Sequence, residues 1–327
     1  MEYKRLNKTD LSVSPICLGT VNYGSALSIK DSKWQLSQFL DKGGNFIDSA
    51  HIYGDWEPGL TGRSERAIGA WFKESGNRDK VIIATKGAHP DWGFMDIPRV
   101  KPTDIMADLE ESLSFLNTDY IDLYFLHRDD PKVPVEEIID CLDEACSQGK
   151  IRYYGCSNWS LERILAAEKY AESKGSNGFV VNQLMWSLAD INFYNLPDKT
   201  FVLMDKETYQ HHSLKGMNVM AYMSIAKAYF SRRQDKEELP ESVTSVYDNK
   251  SNDAIFREGL KFLEDSSYNF MDLSLMYLMA QENIKTIPIA SFDTPEQLEI
   301  GLSSWNKTYP KELLSKLGDL KQFVYWA

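Results

Sequence analysis

Nowhere in these 327 residues does an apolar run approach the ~18 residues needed to cross a bilayer. The first five residues, Met1-Glu2-Tyr3-Lys4-Arg5, hold nothing like the apolar core of a signal peptide. The two absences lead us to expect a cytoplasmic protein that no membrane holds. Cysteine is scarce: Cys17, Cys141, Cys146 and Cys156 include no Cys-x-x-Cys, and their spacing fits no common zinc pattern. They read as small buried hydrophobes. Of the five histidines, His51, His89, His127, His211 and His212, only His127 closes a clear apolar run. That is too little for a metal hydrolase, which needs several histidine and acidic ligands together, so no metal is expected. Positive charge is the minority, with 36 Lys and Arg against 48 Asp and Glu and a net charge of −12. A nucleic-acid partner favours a clustered basic stripe. The nearest one, Arg232-Arg233, is followed at once by Asp235, Glu237 and Glu238.

What is present is a soluble composition, 43% hydrophobic and 26% charged, with a regular alternation of patterns. After a short hairpin (Tyr3–Leu6, Leu11–Val13), apolar runs recur at Pro15–Leu18, Asn45–Ile47, Val81–Thr85 and Ile121–Leu126. Four more follow at Ile151–Cys156, Phe179–Val181, Val219–Ala221 and Thr286–Ile289. Each is short and rich in β-branched or aromatic residues, as buried parallel strands are. Between them lie helical periods. Ile105, Leu109, Leu113 and Leu116 share a face after Pro102-Thr103, and Val135, Ile138, Ile139, Leu142 and Ala145 follow Pro134. Ser160 is placed to cap a helix that buries Leu161, Ile164 and Leu165. Eight strands alternating with helices predict one (β/α)8 TIM barrel over residues 1–327, with an N-terminal β-hairpin. The stretch from about Ala228 to Asn252, after the seventh strand, reads as a long irregular loop, either a lid over a ligand or a surface insertion.

Four polar residues stand out against this pattern. Asp48, Lys86 and His127 each end an apolar run, and Tyr53 follows Asp48 by five residues. Parallel barrels gather the C-terminal ends of their strands on one face, where their chemistry is kept. Each residue alone has a plain alternative: a helix cap, packing, an edge charge or a structural histidine. Jointly they make a phenolic acid: Lys86 beside Tyr53 favours phenolate and lowers its pKa from ~10, and Asp48 balances the buried ammonium. His127 then orients a carbonyl oxygen. None of these groups can deliver a hydride, so a nicotinamide must supply it.

The segment Asn45-Phe-Ile-Asp-Ser-Ala-His-Ile-Tyr53-Gly54, with Gly62-Arg-Ser-Glu65, resembles the first signature of the aldo-keto reductase superfamily. Tyr120-Ile-Asp-Leu-Tyr-Phe-Leu-His127 is similar to its histidine strand, and Gly149-Lys-Ile-Arg-Tyr-Tyr-Gly-Cys-Ser-Asn158-Trp to its nicotinamide-binding strand. The resemblance runs over nearly the whole chain. It implies a TIM barrel that reduces an aldehyde or ketone with NAD(P)H, with Tyr53 donating the proton, Asp48 and Lys86 tuning it and His127 orienting substrate. It also implies that Ser157, Asn158 and Gln183 bind the nicotinamide carboxamide and that the nicotinamide stacks on Tyr222, for which a core tyrosine is the other reading. Thr20 and Asp48 join this cofactor set. Ser224, Ala226 and Lys227 fall where the family wraps the pyrophosphate, and Ser291, Phe292, Asp293 and Gln297 where it receives the adenosine end.

The chain departs from the family near that end, with Asp293 where a basic residue is common and Ile300-Gly301 where Glu-Asn is common. From Pro288 to Leu302 it has no basic residue and three acids, Asp293, Glu296 and Glu299. NADH is therefore expected to serve at least comparably to NADPH. Trp56 and Trp159, with Tyr53 and His127, are the expected substrate contacts, and a carbohydrate-type or small aldehyde is the expected substrate. Tyr170-Ala-Glu-Ser-Lys174 has the Tyr-x-x-x-Lys spacing of short-chain dehydrogenases, but no Gly-rich strand–turn–helix precedes it and it reads as amphipathic helix. The alternative from another class is a nucleotide-binding regulatory protein of the same fold with little catalysis.

Overall fold

Residues 2–322 are described by the structure, a computed structural model. Two short strands, β1 (Lys4–Arg5) and β2 (Ser12–Val13), pair antiparallel. Eight further strands follow: β3 (Cys17–Gly19), β4 (Phe46–Asp48), β5 (Ile82–Gly87), β6 (Ile121–Leu126), β7 (Ile151–Ser157), β8 (Val181–Met185), β9 (Asn218–Tyr222) and β10 (Thr286–Ala290). They lie in chain order, all parallel, and β10 closes on β3 to complete the expected (β/α)8 barrel. Helices between them cover the outside. Ser160 caps the helix Leu161–Lys174 through its hydroxyl, as the sequence predicted, although of the residues expected under it Ile164 is buried and Leu165 exposed; the helix expected to start at Thr103 opens one residue earlier, at Pro102.

Side chains alternate along a strand, so each barrel strand feeds two environments. Outward residues such as Leu18, Ile47, Ile83, Tyr124, Leu126 and Leu184 pack under the helices. Inward residues form a second apolar cluster that includes Cys17, Phe46, Ala84, Phe125, Val181, Met220 and Ile287. Leu6, Leu11 and Val13 of the hairpin region belong to the same cluster, so the hairpin plugs the end of the barrel where the strands begin. Gly155 leaves room for this filling: a Cβ there would lie 2.6 Å from the Phe125 ring. The other end is polar. Two residues beyond Phe46, Ala84, Phe125, Val181 and Met220, the same inward direction is taken by Asp48, Lys86, His127, Gln183 and Tyr222. Strand periodicity thus raises these groups as one layer on a floor of packed hydrocarbon.

The stretch 228–252, expected to be irregular, is not. It holds the helices Tyr229–Gln234 and Glu241–Tyr247 and the start of Lys250–Leu263. Tyr229, Phe230, Val243, Val246 and Tyr247 are buried, and the spacing of these few apolar residues suits short helices that longer-window periodicity does not register.

The outward half of β8 carries a polar contact. Asn182, next to inward-facing Gln183, lies 2.9 Å from His212 Nε2, and His212 in turn meets His211, whose Nε2 is 2.9 Å from Glu168. Burial pushes the His212 pKa down to about 3, helped by His211. The ring is neutral in the native state but protonates below pH ~6.5 when unfolded, so its stabilising contribution is present above that pH and is lost as pH falls toward 3. Urea titrations of His212→Gln should therefore lose about 1.4 kcal/mol per pH unit of slope between pH ~6 and ~4, relative to the parent. An unchanged slope would mean that His212 is charged in the fold.

Candidate active site

Tyr53 reaches the polar end of the barrel from the loop between β4 and the helix Arg63–Ser75. Its carbonyl accepts from Ser64 N at 3.2 Å, its own N–H bonds Ala50 O at 3.0 Å, and Gly54 after it takes φ +92°, a conformation that disfavours a side chain. Lys86, almost without solvent exposure, spends its three N–H groups on Asp48 Oδ2 (2.7 Å), the Ser49 carbonyl (2.6 Å) and the Tyr53 hydroxyl (3.1 Å). The other oxygen of Asp48 accepts from Gln183 Nε2 at 2.8 Å. A carboxylate buried this deeply persists because both oxygens meet donors. Asp48 and Tyr53, five residues apart, are thus joined by the distant Lys86 into one bonded unit. His127 stands edge-on to Tyr53 with ring centroids 5.9 Å apart.

Burial is the largest influence on each of these groups. It pushes the Tyr53 phenol above its ordinary value; Lys86 pulls it down, but not far enough to offset burial. The lowering expected from the ammonium alone therefore does not occur, because the lost hydration outweighs it. Burial also opposes the Lys86 ammonium, but Asp48 and Tyr53 outweigh it and hold the lysine above its usual pKa. His127 is pushed well below its ordinary value, first by burial and then by His89, Arg128 and Lys86, so it is neutral at neutral pH. Its buried Nδ1 has no partner among the described residues.

The residues expected to hold a nicotinamide lie beside this unit. Ser157 ends β7 and Gln183 lies on β8, paired in register. Asn158, at φ +61°, donates to the His127 carbonyl (3.3 Å) and Ser157 Oγ (3.1 Å) and accepts from the Tyr222 hydroxyl (2.6 Å). Tyr222 is half-buried at the edge of both apolar clusters, and Phe201 packs against its ring at 5.8 Å. Thr20 donates to the Asp48 carbonyl at 2.9 Å and so supports the strand end rather than facing open space. Ser224 is buried and donates to Ile289 O of β10 at 2.6 Å. Ala226, Lys227 and Ala228 all take positive φ, and Lys227 is exposed. Ser291 lies against Gly19, where a Cβ would come 2.6 Å from its hydroxyl. Phe292 is buried, with its carbonyl held by Gln35 Nε2 at 2.9 Å, whereas Asp293 is exposed and takes a 3.0 Å bond from Asn22. Gln297 accepts from Asp293 N at 2.9 Å in the first turn of the helix Pro295–Ser303.

Two substrate expectations separate. Trp56 is exposed at the mouth, in edge contact with Trp92 at 6.2 Å. Trp159 is not at the mouth: it is buried, donates to the Arg128 carbonyl at 3.2 Å, and has its ring against Phe179 and Arg163. The left-handed turn at Asn158 carries the following side chain into the layer under the helices, which removes Trp159 from the substrate set. One neighbour of the site was missed. His89, two residues beyond the end of β5, lies 4.7 Å from the His127 ring and 5.9 Å from that of Trp92. Its only sequence signal was its place just after the Lys86 strand. Tyr170 and Lys174, the rival pair, sit on an outer helix and both bond Asp140.

Comparison with known proteins agrees with this arrangement. The model of the aldo/keto reductase family matches residues 15–321. An uncharacterized oxidoreductase, YrpG of Bacillus subtilis, is 30% identical over 98% of this chain and 96% of its own length. An aryl-alcohol dehydrogenase [NADP(+)] of Phanerodontia chrysosporium is 32% identical over 54% of this chain and 49% of its own. The holo form of the aldo-keto reductase AKR11C1 from Bacillus halodurans superposes with a TM-score of 0.76 at 25% identity, over 99% of this chain and 97% of that one. The chain belongs to the aldo/keto reductase family and is an NAD(P)-dependent oxidoreductase of carbonyl and alcohol groups.

Proposed function

We propose that Tyr53 is the proton donor in the reduction of an aldehyde or ketone, with Lys86 and Asp48 tuning it and His127 orienting the carbonyl oxygen. The observation that carries this reading is the bridge made by Lys86, bonded to Asp48 at 2.7 Å and to the Tyr53 hydroxyl at 3.1 Å. A phenol that burial keeps protonated suits an acid, and the adjacent ammonium stabilises the phenolate left after proton transfer. Neutral His127 brings a hydrogen-bond donor without a competing acidic proton. In the reverse direction the phenolate takes the proton back from an alcohol.

The residues beside Tyr53 suit a reduced nicotinamide, which when bound supplies the hydride. Amide and hydroxyl groups of Ser157, Asn158 and Gln183 offer donors and acceptors to a carboxamide, and the half-buried Tyr222 ring offers a stacking face. Incubating the protein with NAD(P)H and a panel of aldehydes tests the reading: consumption of the reduced nucleotide with matching alcohol formation is expected. Nucleotide binding without turnover of any carbonyl would favour the regulatory alternative, which no feature of the site supports.

For the cofactor's adenosine end we propose that NADH serves at least comparably to NADPH. Asp293, Glu296 and Glu299 are all exposed near the start of the helix Pro295–Ser303, and a carboxylate near a 2′-phosphate repels it. Two of the three cations placed to compensate are engaged, Arg232 with Glu237 at 2.9 Å and Arg233 with Asp253 at 3.0 Å, whereas Lys227 is exposed and makes no ion pair among the described residues. A helix N-terminus attracts an anion by only ~0.3–1 kcal/mol. The dissociation constant for NADH should be no more than about tenfold above that for NADPH, and a preference for NADPH of about a hundredfold would overturn this part.

A further inference from the structure

Large apolar side chains are exposed around the mouth of the site. Trp56 and Leu60 in the loop after β4, and Trp92, Phe94 and Ile97 in the loop after β5, are each more than two-fifths exposed. An exposed apolar patch marks a surface built to meet something apolar. Ring contacts link its inner edge to Tyr53 without a break. Tyr53 meets His127 at 5.9 Å, His127 meets His89 at 4.7 Å, His89 meets Trp92 at 5.9 Å, and Trp92 meets Trp56 at 6.2 Å. Aromatic rings attract over separations of ~4.5–7 Å, so each step is a real contact. His127 and His89 are nearly buried and the two indoles are open, so the rings form a wall leading outward from the phenol.

His89 gives that wall one polar atom. Its Nδ1 lies 2.7 Å from the Pro90 carbonyl oxygen, which has no proton to give, so Nδ1 carries the N–H. Nε2 is then a bare acceptor, and among the described residues it has no hydrogen-bond partner. Burial, followed by the charge of Arg128, pushes the His89 pKa down to about 4 and keeps that lone pair available at neutral pH.

We propose that the site takes hydroxylated aryl aldehydes or ketones, with Trp92 and Trp56 against the aromatic ring and His89 Nε2 accepting a hydrogen bond from the ring hydroxyl. The assignment rests on the reading of Tyr53 as proton donor. In the balanced step a hydride from NAD(P)H forms the new C–H bond at the carbonyl carbon and the C=O π electrons move to oxygen. The Tyr53 proton then completes the alcohol, NAD(P)⁺ is released, and solvent reprotonates the phenolate. The carbonyl lies at Tyr53 and His127, and the ring extends along the wall. His89 and Trp92 are specificity-determining residues; neither exchanges a proton with the reacting atoms.

The test compares kcat/KM for benzaldehyde, meta- and para-hydroxybenzaldehyde, para-methoxybenzaldehyde, hexanal and glyceraldehyde. Aryl aldehydes should exceed hexanal, and the better hydroxy isomer should exceed benzaldehyde by about tenfold, a gain the methoxy compound lacks. W92A should lower the aryl-to-hexanal ratio about tenfold, mainly through KM, and W92F should restore most of it. H89F, which keeps a ring and removes the acceptor, should bring the hydroxy-to-parent ratio near one while the aryl preference survives. Hexanal or glyceraldehyde reduced as well as the aryl substrates, or both ratios unmoved in the variants, would overturn the substrate class and leave carbonyl reduction standing. Absence of turnover with every carbonyl would overturn both.

Discussion

Tyr53→Phe should lower carbonyl reduction by about 10²–10⁴-fold while nucleotide affinity changes little. The substitution keeps the ring that contacts His127 and Lys86 and removes only the hydroxyl. Lys86 retains Asp48 and the Ser49 carbonyl, so the fold loses one hydrogen bond, worth about 1 kcal/mol. Turnover and thermal unfolding measured together separate the two effects. Near-parental turnover in a folded variant would remove Tyr53 from the reaction. The pH profile gives a second readout. Reduction needs the phenol protonated, and burial places its pKa above the ordinary value, so the rate should hold through neutral pH and fall only above pH ~10.

Lys86→Met should damage both the chemistry and the fold. It leaves the buried Asp48 carboxylate with Gln183 as its one remaining side-chain donor among the described residues. Removing one partner of a buried pair costs about 3–5 kcal/mol, because the other charge stays in a low-dielectric interior. It also removes the charge that draws the Tyr53 pKa down, so the alkaline limb of the rate profile should move to higher pH. Asp48→Leu in the same chain takes away the stranded charge and should recover part of the stability but none of the activity. His127→Gln should cost far less stability, because the ring is already neutral and its Nδ1 has no partner among the described residues to lose. Urea unfolding of the three variants gives the comparison. Equal losses for Lys86→Met and His127→Gln would contradict this division of roles.

Much of this architecture was legible because a barrel repeats one simple rule. An apolar run closed by a polar residue marked β4 to Asp48, β5 near Lys86 and β6 just before His127, and the period of two put those residues on one face. The run Phe179–Val181 fell short of β8, which continues through Asn182 and Gln183 to Met185. A strand that becomes polar as it enters the site hides its functional half from a search for apolar residues. Trp159 shows the opposite error: it adjoins a site residue in sequence, yet one left-handed residue at Asn158 sends it into the packed layer. His89 meets His127 through a contact between loops of different strands, and local patterning carries no trace of it. The upward shift of Tyr53 had the same origin, since desolvation depends on everything that surrounds the ring.

The most direct test of the account follows the hydrogen itself. The protein is incubated with meta-hydroxybenzaldehyde and NADH or NADPH carrying deuterium at the transferable C4 position, and the alcohol is examined by mass spectrometry and NMR. The account predicts one deuterium on the carbinol carbon, an ordinary hydrogen from solvent on the oxygen, and loss of the product in Tyr53→Phe. An alcohol without deuterium at carbon, or formed equally well by Tyr53→Phe, would contradict it.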